Sequence, residues 1–553
     1  MAHPQQPPPT GTGTAPPRGT TTTAPETETD FLLETYTRLR QAIDNNPNDP
    51  HAAILPSPST LTTTLSSLPT PTSPSYLLPL GPSQTHAHLL HHILPALNHQ
   101  SLSARYFGFV TGSVLPIAEA ADNLVSALDQ NVQVHFPPAS VASASAPWAH
   151  SACTAVEDAA LRMLVSLVEL DHTNTKDGGS VTTEWTGRTF TTGATAGNIL
   201  GLACGREYVV NLRAAAKTKT TKTVAEDGLL AACQAGGVKE IQVLTSMGHS
   251  SLAKAASLAG LGHASVKELG VSEAEPWRLD LDAVEKELKR AEAGEGVVSI
   301  VVVSAGEVNT GRFATNVLDL PKLRSLADRY GAWIHVDGAF GLFARALPKT
   351  DEFLGLHASA AGLELADSIA ADGHKLLNVP YDNGIFLCRN PSILTQVCNN
   401  PNAAYLASPG DPSAILSPLN IGIENSRRFR ALPVYAVLLS EGREGIAAML
   451  SRMVLLAREI AAFVRDSQDY EWLPSEDASL ESTYIVVLFR ARDAALNDVL
   501  VDRINASGKM FVSGTKWAGK KAVRIAVGSW RVDVERDAAI IKEALTAIAE
   551  AGK

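Results

Sequence analysis

Between about Glu184 and Arg389, short apolar runs alternate with stretches of helical periodicity. GRTFTTG leads into TAGNILGLACGREYVV, IQVLTSMG into HSSLAKAASLAGL, and VVSIVVVSAG into DLPKLRSLADRYG; WIHVDG, SIAADG and GIFLCRN follow. Continuous Val and Ile runs interleaved with helices predict an α/β fold, a mostly parallel sheet covered on both faces. Ligands of such sheets collect at the carboxyl ends of the strands. Upstream, helical periodicity begins at Asp30 in FLLETYTRLRQAI and returns in THAHLLHHILPALNHQ, in ADNLVSALDQN and in ACTAVEDAALRMLVSLVEL. The Pro/Ser/Thr-rich passage from Pro56 to Pro82 is expected to be loop or linker. Downstream, ENSRRFRALPVYAVLLSEGREG and its continuation predict a long helical connection. STYIVVLFR, AALNDVLVDRINASG, KAVRIAVGSW and DAAIIKEALTAIAEAG then have the texture of a small α+β domain. The chain therefore divides into a Pro/Thr-rich tail (1–28) expected to be disordered, a helical segment (29–150), a large domain (151–420), and a connecting helix with a small domain (421–553).

Composition narrows the function classes. With 553 residues, 45% of them hydrophobic, the chain can build a large core. A net charge of −11 with no basic run gives no footing for a nucleic-acid partner. Cys153, Cys204, Cys233, Cys388 and Cys398 lie too far apart for metal-ligand or CxxC spacing, as in a reducing compartment. No stretch has the length of a membrane span or the layout of a signal peptide, so a cytoplasmic protein is expected. The histidines of the THAHLLHHILPALNHQ helix come without carboxylate or cysteine partners, and no metal is expected there.

The chemistry concentrates at two strand ends. One apolar strand closes on Asp337, and another on Asp372-Gly373-His374-Lys375. A lysine between an apolar strand and Leu376-Leu377 is partly desolvated, which makes its amine the better nucleophile. A buried amine and a buried carboxylate at neighbouring strand ends suit pyridoxal 5'-phosphate (PLP), held as a Schiff base on Lys375 with Asp337 on the pyridine nitrogen. The phosphate needs a cradle, and TTGATAGN offers Thr192, Gly193, Ala194 and Thr195 where the chain turns into a helix. It lacks the GK[ST] ending of a nucleotide-binding loop. His249, between a strand and a helix, is a candidate to stack on the pyridine ring, and Ala339 is small enough to admit the other face. His374 is a further phosphate contact, and Asn309 and Thr310 can reach the cofactor oxygen or the substrate. Singly, each of these residues has an ordinary structural reading; the set carries the argument.

The order TTGATAGN, HSSLAKAA, HVDGAFG and DGHKLLNVPYDNG, with RYFGFVTGSVLP before it and ENSRRFRAL after it, resembles the group II PLP-dependent amino-acid decarboxylases. The resemblance spans roughly residues 100 to 540. It implies the fold-type I, aspartate-aminotransferase-like architecture, with a mostly parallel sheet of the seven-stranded type. It implies Lys375 as the Schiff-base lysine, Asp337 as the pyridinium partner and His249 as the stacking residue. Thr192, Ala194 or Thr195, with His374, would hold the phosphate. It also implies a homodimer with sites at the interface and the RYFGF loop facing the partner's cofactor. The implied activity is α-decarboxylation of an amino acid; a PLP-dependent lyase, aldehyde synthase or aminotransferase, or a non-catalytic PLP-binding scaffold, are the alternatives. Two departures matter. Leu376 stands where many relatives carry Trp, and SPGDPSAILSPLNIG lacks the tyrosine that relatives use to protonate the product carbon, with Tyr405 at its upstream end. Phe107, Phe109 and Trp148 are candidates for an aromatic substrate pocket. Arg427, Arg428 and Arg430, expected on a helix, are candidates for anchoring a carboxylate.

Overall fold

The computed structural model describes residues 28–44, 54–73, 76–132, 151–174, 180–182, 185–218, 222–401, 415–475 and 478–551. The Pro/Thr-rich tail, Trp148 and Tyr405 lie outside the described residues. Two compact units emerge, one made of residues 1–49 with 56–97, the other of 50–55 with 98–553. In the first, α1 (Glu28–Asp44), α2 (Pro58–Ser67) and α3 (Pro82–His88) are helical. Helix α2 overturns the first part of the expected loop or linker from Pro56 to Pro82; the described residues after Ser67 and before Pro82 are turn and loop, as expected. Ser57 caps it by accepting the Thr60 N–H, and Pro58 occupies the first turn, where a missing N–H costs nothing. Proline-rich composition hid a helix start.

The second unit holds α4 (Pro116–Leu128), α5 (Cys153–Leu167) and a central sheet of seven strands. These are β1 (Gly187–Thr191), β2 (Glu240–Thr245), β3 (Val266–Glu268), β4 (Val297–Ser304), β5 (Trp333–Asp337), β6 (Ser368–Asp372) and β7 (Gly384–Cys388). Their order is β1-β7-β6-β5-β4-β2-β3. All neighbours run parallel except β7, which is antiparallel to both β6 and β1. The fold is therefore the α/β, mostly parallel architecture that the apolar runs predict; β4 to β7 are buried along their whole length.

Helix α6 (Ala194–Thr218) crosses this sheet unusually closely. Gly197, Gly201 and Gly205 recur every four residues on one face. A Cβ added to them would stand 2.8 Å from Ala370, 2.3 Å from the His335 ring and 2.9 Å from Trp333. Without side chains at those points, the helix rests on β5 and β6 and brings its N-terminus to their carboxyl ends. A second sheet joins β8 (Tyr470–Leu473), β9 (Val486–Ala491), β10 (Phe511–Trp517) and β11 (Lys520–Ala526). The two-residue strand Tyr106–Phe107 adds to its edge by pairing parallel with β10. The long helical connection Ala431–Asp466 follows the sequence reading, as two helices that meet at a kink at Gly442, but Arg427 and Arg428 do not belong to it. They form a short strand paired antiparallel with Asn131–Val132, and the Asn131 side-chain oxygen also accepts the Arg427 N–H.

Candidate active site

A cavity of about 570 Å³ opens at the carboxyl ends of β4, β5 and β6. Asp337, Ala339, His249, Gly193, Ala194, Thr195, His374 and Lys375 all line it. The topology explains the meeting. Asp337 ends β5, Lys375 follows β6 by one turn of helix, and the glycine stripe sets the start of α6 beside them. Thr192 is exposed and does not line the cavity, and neither does Thr310. The Thr310 hydroxyl donates to the buried Glu307 carboxylate at 2.9 Å, and Asn309 donates to the same group at 2.8 Å. Those side chains order their own turn.

Asp337 is 8% exposed, and its Oδ2 accepts from Asn198 Nδ2 at 2.9 Å. Lys375 Nζ pairs with Asp372 Oδ2 at 2.8 Å, while Asp372 Oδ1 accepts the Ala194 N–H at 2.6 Å. The N-terminus of α6 therefore does hold an anion here, an internal one. His374 accepts the Asn383 N–H on Nδ1 and packs against Tyr381 with ring centroids 4.2 Å apart. Burial, with the Lys375 charge nearby, pushes the His374 imidazole below its ordinary value, which favours the neutral ring. His249 caps the helix Ser250–Leu258, its Nδ1 accepting the Ser251 N–H, and stands exposed at the cavity rim.

Three contributors were not picked out from the sequence. Asn198, inside the TTGATAGN turn, contacts Asp337 directly. Tyr381, in VPYDNG, lines the cavity at 55% exposure, and its partial burial holds the phenol above its ordinary value. Arg524 on β11 lines the cavity at 7% exposure; its Nη1 donates to the Val308 carbonyl at 3.0 Å, the Glu307 carboxylate lies near enough to act on its charge, and its Nε has no hydrogen-bond partner among the described residues. An isolated arginine in an alternating strand carries no sequence signal of its own. Of the proposed aromatic lining, Phe109 faces the cavity and is 63% exposed, whereas Phe107 is fully buried in the core. Of the three candidate arginines, Arg427 is spent on the buried Glu157 and Arg430 on Asp382, and Arg428 pairs with Asp122.

The residues present fit PLP: an amine, a carboxylate for the ring nitrogen, a small residue beneath the ring and an anion-binding helix start around one cavity. Asp372 already takes the Ala194 N–H that a phosphate at this helix start would use. Among the described residues, no group of three or more His, Cys, Asp or Glu is placed to hold a metal ion. No helix among them is long and apolar enough to cross a membrane.

The pyridoxal-dependent decarboxylase conserved domain matches residues 139–492. The chain is 28% identical over 358 residues to an L-2,4-diaminobutyrate decarboxylase of Acinetobacter baumannii, covering 63% of this chain and 65% of that protein. It is 24% identical over 332 residues to a phenylacetaldehyde synthase of Arabidopsis thaliana, covering 58% and 63%. The chain thus spans slightly less than two thirds of the length of these curated relatives. Its fold superposes on that of Oryza sativa TDC, solved with PLP and tryptamine, at a TM-score of 0.72 and 22% identity, covering 96% of this chain and 99% of the other.

Proposed function

The chain belongs to the pyridoxal-dependent decarboxylase family, and from that premise we propose that it removes the α-carboxylate of an amino acid as carbon dioxide. The observation that carries this reading is the convergence of Lys375, Asp337 and the Gly193–Thr195 turn on one cavity. Bound there, PLP supplies an aldehyde that condenses with amines and a pyridinium ring that accepts the electron pair freed when a neighbouring bond breaks. Lys375 would supply the amine that holds the aldehyde, and Asp337 would meet the ring nitrogen and favour its protonated form. His249 at the rim would be the residue to cover one face of the ring, with the small Ala339 toward the other, and Ala194, Thr195 and His374 would be the phosphate contacts.

Arg524 suits an anionic or carbonyl group of the substrate away from the bond that breaks. A guanidinium on the departing carboxylate would stabilise charge that is lost in the transition state. Tyr381 keeps its proton at neutral pH and can give it to the product carbon. A homodimer in the cytoplasm, with the exposed Phe109 loop turned toward the partner, completes the proposal.

Aldehyde synthesis is the second reading, favoured by the missing tyrosine in SPGDPSAILSPLNIG and by the likeness to a phenylacetaldehyde synthase. Product identification across a panel of amino acids separates the two: both release carbon dioxide, but decarboxylation leaves the amine, whereas the alternative consumes dioxygen as its oxidant and leaves aldehyde, ammonia and hydrogen peroxide. Borohydride reduction of the PLP-loaded protein tests the shared premise. The peptide bearing Lys375 gains the mass of the reduced cofactor, and an unmodified peptide defeats both readings.

A further inference from the structure

Behind Asp337 runs an unbroken line of buried polar side chains. Trp333 Nε1 donates to Ser368 Oγ at 3.0 Å, Ser368 Oγ meets His335 Nδ1 at 2.8 Å, and His335 Nε2 meets Asn198 Oδ1 at 2.9 Å. Asn198 Nδ2 then donates to Asp337 Oδ2 at 2.9 Å. The placement follows from strand geometry. Trp333, His335 and Asp337 alternate along β5 and share one face, Ser368 is the register partner of His335 on β6, and Gly201 lets α6 lie directly on the His335 ring. Ser368, His335 and Asn198 are completely buried.

The chemistry at the two ends fixes one direction for every proton. A carboxylate only accepts, so Asn198 turns its NH2 to Asp337 and its oxygen to His335. His335 must then carry its proton on Nε2, and in a neutral ring Nδ1 is bare and accepts from Ser368. At the far end an indole only donates, so Ser368 accepts from Trp333 and passes its own proton on. The requirements from both ends agree. Burial, which disfavours the imidazolium, holds His335 down to about 4 and keeps the ring neutral at ordinary pH.

We infer that Trp333, Ser368, His335 and Asn198 form a one-way hydrogen-bond relay that fixes the Asp337 carboxylate for the pyridine nitrogen of the cofactor. Asn198 and His335 are thus positioning residues. The inference rests on the proposed cofactor reading and adds residues that never touch the cofactor. A relay acting through the ring nitrogen has a signature that plain structural support lacks: it matters only to a ligand that possesses that nitrogen.

The test is a binding titration of the apo-protein with PLP and with its 1-deaza analogue, in which a C–H replaces the ring nitrogen. Asn198→Ala and Ser368→Ala should each weaken PLP binding, Asn198→Ala by about tenfold or more, since a hydrogen bond to a charged group is lost. The deaza analogue should bind each variant as it binds the parent protein. Equal loss of both ligands, or PLP binding unchanged in Asn198→Ala, overturns the relay. Ser368→Ala removes one distal hydroxyl with little loss of packing, and decides the matter should Asn198→Ala fail to fold. In 15N-histidine spectra of the apo-protein at neutral pH, His335 should be the Nε2–H tautomer, and the Nδ1–H tautomer refutes the assigned direction. Parent protein that binds no PLP removes the cofactor reading itself, whereas PLP-competent parent with unselective variants removes only the relay.

Discussion

Asp372 stands between two tasks. One of its oxygens pairs with Lys375 at 2.8 Å, the other takes the Ala194 N–H at 2.6 Å, where the phosphate is proposed to bind. Two anions cannot share that helix start cheaply, so loading PLP works against a carboxylate already in place. Asp372→Asn keeps the shape and removes the charge. Apo-protein with this change should take up PLP severalfold more tightly in an absorbance titration; weaker uptake would mean that the Lys375 pairing outweighs the repulsion. A second residue-scale effect concerns acid. His335 titrates near 4 in the folded chain, below its ordinary 6.5, so the unfolded chain binds the extra proton first. The stability linked to it is therefore complete above about 6.5 and is lost as pH falls toward 4. His335→Gln should flatten that span of the stability profile, measured by urea unfolding at a series of pH values. The cavity positions of Asp337 and Lys375 were legible in the sequence because Asp337 closes one apolar strand and Lys375 follows another by a short helical turn. Asn198 was not, since an amide after a glycine-rich turn has many ordinary uses and only the folded register shows which group it faces. Thr310 was chosen for lying at a strand end, but Glu307, three residues earlier, claims its hydroxyl.

At the scale of elements, the approach of α6 to β5 and β6 decides whether the site exists. The helix packs without side chains at Gly197, Gly201 and Gly205, and its start, Asn198 included, falls in place as a result. Gly201→Val puts branched carbon where the His335 ring already stands, and such overpacking costs about 1–3 kcal/mol. Chemical denaturation should report that loss, and the bound-PLP absorbance should fall with it, because the helix can relieve the clash only by lifting off the strand that carries Asp337. Retained stability with a normal PLP spectrum would show that the close contact is dispensable. The sheet was easy to read, since buried parallel strands leave continuous apolar runs. Helix α2 was not, because its Ser-Pro start resembles a linker, and the Tyr106–Phe107 strand was not, because two residues show no alternation. The short strand at Arg427 was also missed; its neighbour Asn131 is far away in sequence and near only in the fold.

Across the whole molecule, Lys375 is held in place by segments hundreds of residues apart that meet at Asn378. This fully buried residue sits in the left-handed region at φ 54°. Its Oδ1 accepts the N–H groups of Ser113 and Trp530, each at 2.9 Å, and its Nδ2 donates to the carbonyl of Gly528 at 3.1 Å. Its own carbonyl accepts the Leu115 N–H at 2.9 Å. Gly112 lies so close to the lysine that an added Cβ would stand 2.0 Å from the Lys375 carbonyl oxygen. The aromatic loop, the lysine turn and the end of the small sheet are therefore one structure, and the cavity wall they share cannot loosen in one part alone. Asn378→Ala leaves the Ser113 and Trp530 N–H groups buried without an acceptor, at about 1–3 kcal/mol each. Unfolding of the apo-protein should shift by roughly 2–6 kcal/mol on that basis. PLP affinity should fall in the same variant, although Asn378 does not line the cavity. Asn378→Asp retains the acceptor oxygens but sets a buried carboxylate against the carbonyls of Lys375, Leu376 and Gly528, so it should be no more stable than Asn378→Ala; recovery of stability would show that the Ser113 and Trp530 N–H groups dominate.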